Sequence, residues 1–194
     1  MSRLLPRFLT ERQMADLVRA PNHFVPEGLR DRAILAMLCA CGLRASELCG
    51  LIVRDVLPTR LFVSAGKGNT QRWVPLSDKV YQAVQVYLAR YPARPGEPLF
   101  RTGPGRPLTR RRLHKLVSRY QRALSLPATG VHLLRHSAAT RLVNRGMRLH
   151  SVRVLLGHVH LATTAIYLGT ATDALVAEYR RVTSGESTPA ERDR

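Results

Sequence analysis

The sequence predicts a mainly α fold that carries a small three-stranded antiparallel sheet. Apolar residues recur at helical spacing along most of the 194 residues, and the pattern changes to short β-prone runs between residues 51 and 76. Hydrophobic residues make up 45% of the chain, which excludes wholesale disorder. The length is enough for one substantial domain with a buried core, or for two very small ones.

Capping residues and apolar stripes predict the first helices. Residues 10–13 have the pattern of a capping box, so a short helix begins there and ends before Pro21. An apolar stripe within residues 29–41 predicts a second helix, which Gly42 ends. A third, short helix is predicted over residues 44–50.

Short β-prone runs and turn residues predict the sheet. Its strands are expected at residues 51–53, 61–63 and 72–74, with turns at 58–59 and 66–69. Helical patterns then resume, and further helices are predicted at about 77–91, 109–125, 133–146, 151–156, 162–168 and 172–182.

Charge points to an anionic partner. The chain has 31 Lys and Arg against 13 Asp and Glu, a net charge of +18, and nucleic acid is the leading candidate partner. Codon bias in a GC-rich genome is an alternative source of part of the arginine excess. No apolar run has the length of a membrane span, and the first residues lack the apolar core of a signal peptide. We therefore expect the protein to stay where it is made, in the cytoplasm or on the chromosome, without a membrane partner.

Three cysteines lie close together, at Cys39, Cys41 and Cys49. Their number is odd and no fourth zinc ligand is nearby, so neither a disulfide framework nor a zinc site is expected. We expect them to be small core residues in a reducing compartment.

Five short motifs carry the candidate chemistry. In chain order they are residues 42–48, with Arg44 and Glu47; residues 66–68, with Lys67; residues 132–136, with His132 and Arg135; residues 155–158, ending in His158; and residues 163–167, ending in Tyr167.

In this order and spacing the motifs resemble those of the tyrosine recombinases, the phage integrase family that includes Xer, lambda-integrase and Fim-type enzymes. The match runs from about residue 9 to residue 168. The resemblance implies the catalytic-domain fold of DNA breaking-rejoining enzymes. It also implies site-specific recombination, as integration, excision or inversion, through a covalent 3′-phosphotyrosine without metal, ATP or other cofactor.

Two arginines suit the cleavage of a phosphodiester without a metal. Extra negative charge develops at phosphorus, and guanidinium groups match phosphate oxygens and stay protonated. Arg44 and Arg135 fit this role, and Glu47, one helical turn after Arg44, is placed to orient it.

The remaining groups suit proton transfer. Tyr167 is the candidate nucleophile, and His132 is placed to take its proton. His158 is suited to donate a hydrogen bond to a phosphate oxygen, and Lys67 to protonate the leaving oxygen. Tyr179 is the alternative nucleophile, but it lies past the motif on a helix with its own packing face. His132 and His136 have zinc-like spacing, yet a third ligand is missing, so no metal site is expected.

A second set of basic residues is expected to contact DNA phosphates. The alternative for most of this set is a solvated helix face. The candidates are Arg72, Arg110, Arg111, Arg112, Lys115 and Arg119.

We expect residues 1–183 to form the catalytic domain, 184–194 to be a flexible polar tail, and an N-terminal core-binding domain to be absent. The chain is then either a stand-alone small recombinase or a fragment of a longer protein. The resemblance implies assembly into a dimer or tetramer on DNA, with residues 171–182 docked on a neighbouring protomer. The alternative is that this segment folds back on its own domain.

An accessory DNA-binding protein is a further candidate partner.

Two other functions are compatible with the same sequence features. One is a catalytically silent DNA-binding accessory or regulator with the same fold. The other is a relaxing enzyme similar to type IB topoisomerases, which needs no partner protomer.

The basic charge predicts salt-sensitive DNA binding. Each phosphate contact should contribute about −0.9 to the slope of log binding constant against log salt concentration, so several contacts give a steep slope. Fluorescence anisotropy with a labelled duplex at increasing salt measures it. A flat dependence would contradict the hypothesis that the basic charge partly compensates for the absent core-binding domain in holding DNA.

Overall fold

The computed structural model describes residues 8–64, 71–103, 105–157 and 170–184. Its elements in chain order are α1 (Glu11–Arg19), α2 (Pro26–Cys41), α3 (Ala45–Gly50), β1 (Arg60–Val63), β2 (Arg72–Pro75), α4 (Asp78–Arg90), β3 (Arg101–Gly103), β4 (Arg106–Pro107), α5 (Arg110–Ala123), α6 (Val131–Asn144), α7 (Leu149–Leu156) and α8 (Thr170–Ser184). The mainly α fold class with small antiparallel sheets is therefore confirmed. Within the described ranges, no helix is both long and apolar enough to cross a bilayer.

Helix α2 forms the centre of the core. Residues 33–41 are all buried, and the helix packs against α1, α4 and α6. Its second half, residues 33–41, is buried on all sides and has no polar face, which explains the continuous apolar run there. Cys39 and Cys41 are free thiols within it, and burial raises the pKa of both to about 12. The prediction of core cysteines is confirmed for these two, while Cys49 is half-buried.

The predicted third strand of the sheet does not form. Strands β1 and β2 pair antiparallel as a two-stranded sheet, and residues 51–53 are not part of it. The Asp55 carboxylate accepts the Ile52 backbone N–H at 2.9 Å and closes a turn of 3-10 helix, Val53–Asp55. Ile52 instead makes an isolated bridge to Pro98. A side-chain cap has therefore overridden the β propensity of this run.

A second antiparallel pair, β3 and β4, was not predicted. Its strands have three and two residues, too few for an alternating pattern to show in the sequence. The predicted turn at 66–69 and the predicted helix at 162–168 lie outside the described residues.

Helix α8 packs on its own chain, which is the second of the two alternatives given above. Leu175, Tyr179 and Val182 are buried, and α8 contacts β2 and α6. The Glu178 carboxylate accepts the Ser151 hydroxyl at 2.5 Å and the Arg148 backbone N–H at 2.8 Å. These bonds join α8 to the first turn of α7.

Gly42 ends α2 in the left-handed conformation, with φ of 61°. A Cβ at this position would lie 2.8 Å from Cδ2 of Leu156 at the end of α7. The glycine therefore allows the ends of α2 and α7 to approach each other.

Gly42→Ala should lower the free energy of unfolding by at least about 1–2 kcal/mol, because the left-handed conformation is strained for alanine and its Cβ meets Leu156. Urea unfolding measures the change. Gly50→Ala is the matched control, since a Cβ there meets nothing within 4 Å, and its stability should be unchanged or slightly higher. Equal stabilities for the two variants would contradict the packing argument.

Candidate active site

Three separate parts of the sequence line one cleft of about 490 Å³. They are the start of α3, one face of α5, and α6 together with the end of α7. The polar side chains that line the cleft are Arg44, His114, His132, Arg135 and His136. The fold therefore brings Arg44, His132 and Arg135 together, as the motifs predicted.

Arg135 is fixed by two helix ends. From α6 its guanidinium donates to the Gly42 carbonyl at 2.8 Å and to the Leu156 carbonyl at 2.6 Å. Its side chain is only 9% exposed. Burial, and next the charge of Arg44, lower the pKa of Arg135 to about 10. This pKa is still well above neutral pH, so Arg135 remains a cation, and its two hydrogen bonds hold it in a fixed position.

Arg44 begins α3 and faces the cleft more openly. Its Nη1 donates to Oε1 of Glu47 at 2.8 Å, and its backbone N–H donates to Oε2 of the same carboxylate at 2.8 Å. Its side chain is 41% exposed. Glu47 therefore orients Arg44 as predicted, and leaves part of the guanidinium accessible from the cleft.

Arg72, which the sequence analysis placed among the DNA contacts, is directed into the protein. Its Nη1 and Nη2 donate to the two oxygens of Glu47 at 2.9 and 3.1 Å, and its Nε donates to the Leu155 carbonyl at 2.8 Å. The side chain is 9% exposed. Strand alternation was the missed signal, because Arg72 shares a face with Val74, which is fully buried.

Glu47 is the buried carboxylate at the centre of these arginines. Burial alone raises its pKa, but the hydrogen bonds and charge of Arg72, together with the bonds from Arg44, outweigh that effect and hold the pKa at about 2. Arg135 lies 3.8 Å from the same carboxylate. Glu47 therefore stays ionised over the whole physiological range.

The C-terminal end of α7 is held by the same arginines. The carbonyls of residues 155, 156 and 157 accept, in order, from Arg72, Arg135 and Arg44, the last at 3.4 Å. A helix C-terminus has unpaired carbonyls and partial negative charge, so cations stabilise it. Gly157 then turns the chain with φ of 69°. The point at which the chain continues to His158 is thus fixed.

His114 is a cleft residue that the motif analysis missed. A Cβ at Gly130 would lie 3.0 Å from Nδ1 of His114, so the imidazole packs against this glycine at the start of α6. The buried Gln121 side chain accepts the Gly130 N–H at 3.0 Å and so fixes the glycine. Nothing in the local sequence separates His114 from an ordinary exposed residue of α5.

The exposed side chains of α5 form a basic surface next to the cleft. This surface, called the α5 basic face here, comprises Arg110, Arg111, Arg112 and Lys115. Arg110 lies one turn before His114, which lines the cleft. Arg119 is also exposed, but its guanidinium donates to the buried carboxylate of Asp31 at 2.8 Å.

Three predicted site residues, Lys67, His158 and Tyr167, lie outside the described residues. The alternative nucleophile, Tyr179, is 1% exposed, and its hydroxyl donates to the Ala40 carbonyl at 3.4 Å. Burial raises its pKa above the ordinary value of a tyrosine. Tyr179 could reach DNA only if α8 left the domain. In the part of the chain that the structure describes, no three His, Cys, Asp or Glu side chains are arranged to hold a metal ion.

Comparison with known proteins gives one consistent result. The family model described as the phage integrase family matches residues 7–173. The chain is 38% identical to tyrosine recombinase XerC of Pelotomaculum thermopropionicum, over 93% of this chain and 63% of that protein. It is 36% identical to tyrosine recombinase XerD of Haemophilus influenzae, over 91% of this chain and 62% of that protein. The chain thus spans less than two thirds of the length of these relatives.

Solved structures share the fold. The XerA recombinase superposes with a TM-score of 0.72 at 24% identity, over 97% of this chain and 66% of that chain. The XerH site-specific recombinase bound to its difH substrate, before cleavage, gives a TM-score of 0.68 at 26% identity, over 88% of this chain and 52% of that chain.

The depressed pKa of Glu47 predicts a pH dependence of stability. Its pKa falls from 4.5 to about 2 on folding, so the ionised carboxylate stabilises the fold above pH 4.5, and this contribution is lost as pH falls toward 2. The stability difference between wild type and Glu47→Gln should therefore shrink by about 3 kcal/mol over this interval. Chemical unfolding at several pH values measures it, and parallel curves for the two proteins would contradict the prediction.

Proposed function

Because the chain belongs to the phage integrase family, we propose that it is a site-specific recombinase that cleaves and rejoins DNA strands through Tyr167. One observation carries this proposal: Arg44, His132 and Arg135, from distant parts of the sequence, line a single cleft. Relatives named XerC and XerD, at 36–41% identity, support the same activity.

The proposed reaction exchanges one phosphodiester for another. The phenolic oxygen of Tyr167 attacks phosphorus, and the bond from phosphorus to the 5′ oxygen of the next nucleotide breaks. The phenolic proton passes to His132, and the leaving 5′ oxygen takes a proton from Lys67. The product is a 3′-phosphotyrosine and a free 5′ hydroxyl. Attack by a 5′ hydroxyl on this ester reverses each step, so rejoining needs no metal and no ATP.

The fixed arginines supply the electrostatic part of this reaction. Negative charge builds up on the phosphate oxygens during attack, and guanidinium groups held beforehand stabilise it without reorganisation. Arg135 is held by two carbonyls and Arg44 by Glu47, so both fit this requirement. By analogy with oxyanion-hole donors, each such group contributes roughly 3 kcal/mol to transition-state stabilisation. His158, which follows α7 in the sequence, would add a hydrogen bond to a phosphate oxygen.

Double-stranded DNA is the proposed substrate. The α5 basic face lies beside the cleft and lacks acidic residues in its first turn, which favours phosphate contacts over a purely solvated surface. The solved structures similar to this chain include XerH bound to its difH substrate and a lambda integrase tetramer bound to a Holliday junction. We extend this to assembly of the present chain as a dimer or tetramer on DNA, with or without an accessory DNA-binding protein.

The nucleophile is tested with a pool of nicked duplexes of randomised sequence that trap the cleaved product, in EDTA. Wild-type protein should form a covalent protein–DNA band that survives denaturant, and Tyr167→Phe should form none. Tyr179→Phe is the matched control and should keep the band, because Tyr179 is buried within α8. A band that persists in Tyr167→Phe, or one that EDTA abolishes, would contradict the proposal.

The same experiment separates the two alternative functions. Salt-sensitive DNA binding without any covalent band would favour a catalytically silent accessory. Supercoiled plasmid serves as a non-specific substrate. Its relaxation by monomeric protein, without strand exchange between two sites, would favour a topoisomerase-like enzyme.

A further inference from the structure

We propose that Arg72 is a positioning residue of the active site rather than a DNA contact. It holds Glu47 and the end of α7, and through them it sets the places of Arg44, Arg135 and Gly157. This inference rests on the proposed function of the cleft, and it assigns to Arg72 a role in that reaction.

The hydrogen bonds of Arg72 join three elements. The Arg72 side chain extends from β2 and donates bidentate hydrogen bonds to both carboxylate oxygens of Glu47 on α3. Its Nε donates to the Leu155 carbonyl on α7. All three guanidinium nitrogens thus have a partner in the protein. The planar guanidinium group has donors with the fixed geometry that these three hydrogen bonds need, whereas a lysine ammonium cannot make the same three bonds in one plane.

The space around the Arg72 guanidinium is closed by a glycine. A Cβ at Gly157 would lie 2.9 Å from Nη1 and 3.1 Å from Cζ of Arg72. A side chain at position 157 would therefore displace the guanidinium from Glu47 and from α7. The close approach indicates that the position of the Arg72 guanidinium depends on the absence of a side chain at residue 157.

Arg72 adds a third cation to the cluster around Glu47. Glu47 orients Arg44, but a carboxylate beside a catalytic guanidinium also cancels part of its positive charge. Arg72 pairs with the same carboxylate, and its side chain is 9% exposed. Three guanidinium groups, those of Arg44, Arg72 and Arg135, therefore surround one carboxylate. The excess positive charge is left on Arg44 and Arg135, which line the cleft. Arg72 therefore offsets the cost of using Glu47 as an orienting group.

A positioning role and a DNA contact give opposite results in two measurements. A lost phosphate contact lowers the salt slope of DNA binding by about 0.9. A lost positioning group leaves that slope unchanged and lowers the maximal rate of covalent-complex formation at saturating DNA. The experiment therefore compares both quantities in Arg72→Lys, Arg72→Ala and Gly157→Ala, with thermal unfolding to confirm that each variant is folded.

Arg72→Lys should keep the salt slope and lose about 10²-fold in maximal rate, as for removal of a preorganised donor. Gly157→Ala should give at least as large a loss, because it strains the left-handed backbone and also displaces the guanidinium. Its combination with Arg72→Lys should be less than additive, since both changes disturb the contact between the two residues. Arg90→Lys, an exposed residue of α4, is the matched control and should keep the full rate. Arg112→Ala, on the α5 basic face, should lower the salt slope by about 0.9.

A full rate in Arg72→Lys would overturn the proposal. So would a salt slope that falls by about one in Arg72→Ala while the maximal rate is kept. If Arg72→Ala does not fold, Arg72→Lys still decides between the two roles, because a phosphate contact by lysine would keep the full rate and a lost positioning group would not.

Hydrogen exchange of the free protein separates this proposal from the proposed function. The Gly157 amide donates to the Val154 carbonyl at 2.9 Å, so its exchange reports on the end of α7. Arg72→Lys should speed exchange of the amides of residues 155–157 at least tenfold and leave those of α2 unchanged. No covalent band with wild-type protein would overturn the proposed function. Unchanged exchange in Arg72→Lys would overturn the positioning role of Arg72.

Discussion

The structure of the site depends on one buried carboxylate and the cations around it. Glu47 accepts hydrogen bonds from Arg44 and Arg72 and lies 3.8 Å from Arg135. A charge buried in this way is tolerated only when it is paired and hydrogen-bonded, so every partner must occupy a fixed place. Since these partners come from α3, β2 and α6, the packing of those elements and the geometry of the cleft are set by the same interaction.

Two helix ends complete the arrangement. The carbonyl of Gly42, which closes α2, and the last carbonyl of α7 both accept from Arg135. Each helix C-terminus carries partial negative charge, and two of them stabilise a guanidinium that burial and the charge of Arg44 would otherwise disfavour. Glycine is needed at positions 42 and 157, because a Cβ at Gly42 would meet Cδ2 of Leu156 and one at Gly157 would meet the guanidinium of Arg72.

Helix α7 is held at both of its ends. Its first turn is bonded to Glu178 of α8 through Ser151 and Arg148, and its last carbonyls are bonded to the three arginines. The segment that carries His158 and Tyr167 leaves from the second of these anchors and leads into α8. The interactions that build the cleft therefore also fix the point from which the proposed nucleophile segment starts.

The sequence by itself determined the mainly α fold class, the family resemblance and the roles expected of Arg44, Glu47, His132 and Arg135. These features are visible because capping residues, apolar periodicity and motif order are local properties of the chain. Residues 51–53 were assigned wrongly because a side-chain cap three residues away outweighed their β propensity. Only the tertiary structure decided which groups Arg72 bonds to and that His114 lines the cleft. Leu155 lies 83 residues from Arg72, and His114 packs against Gly130 of a different element, so no local pattern of the sequence records these contacts.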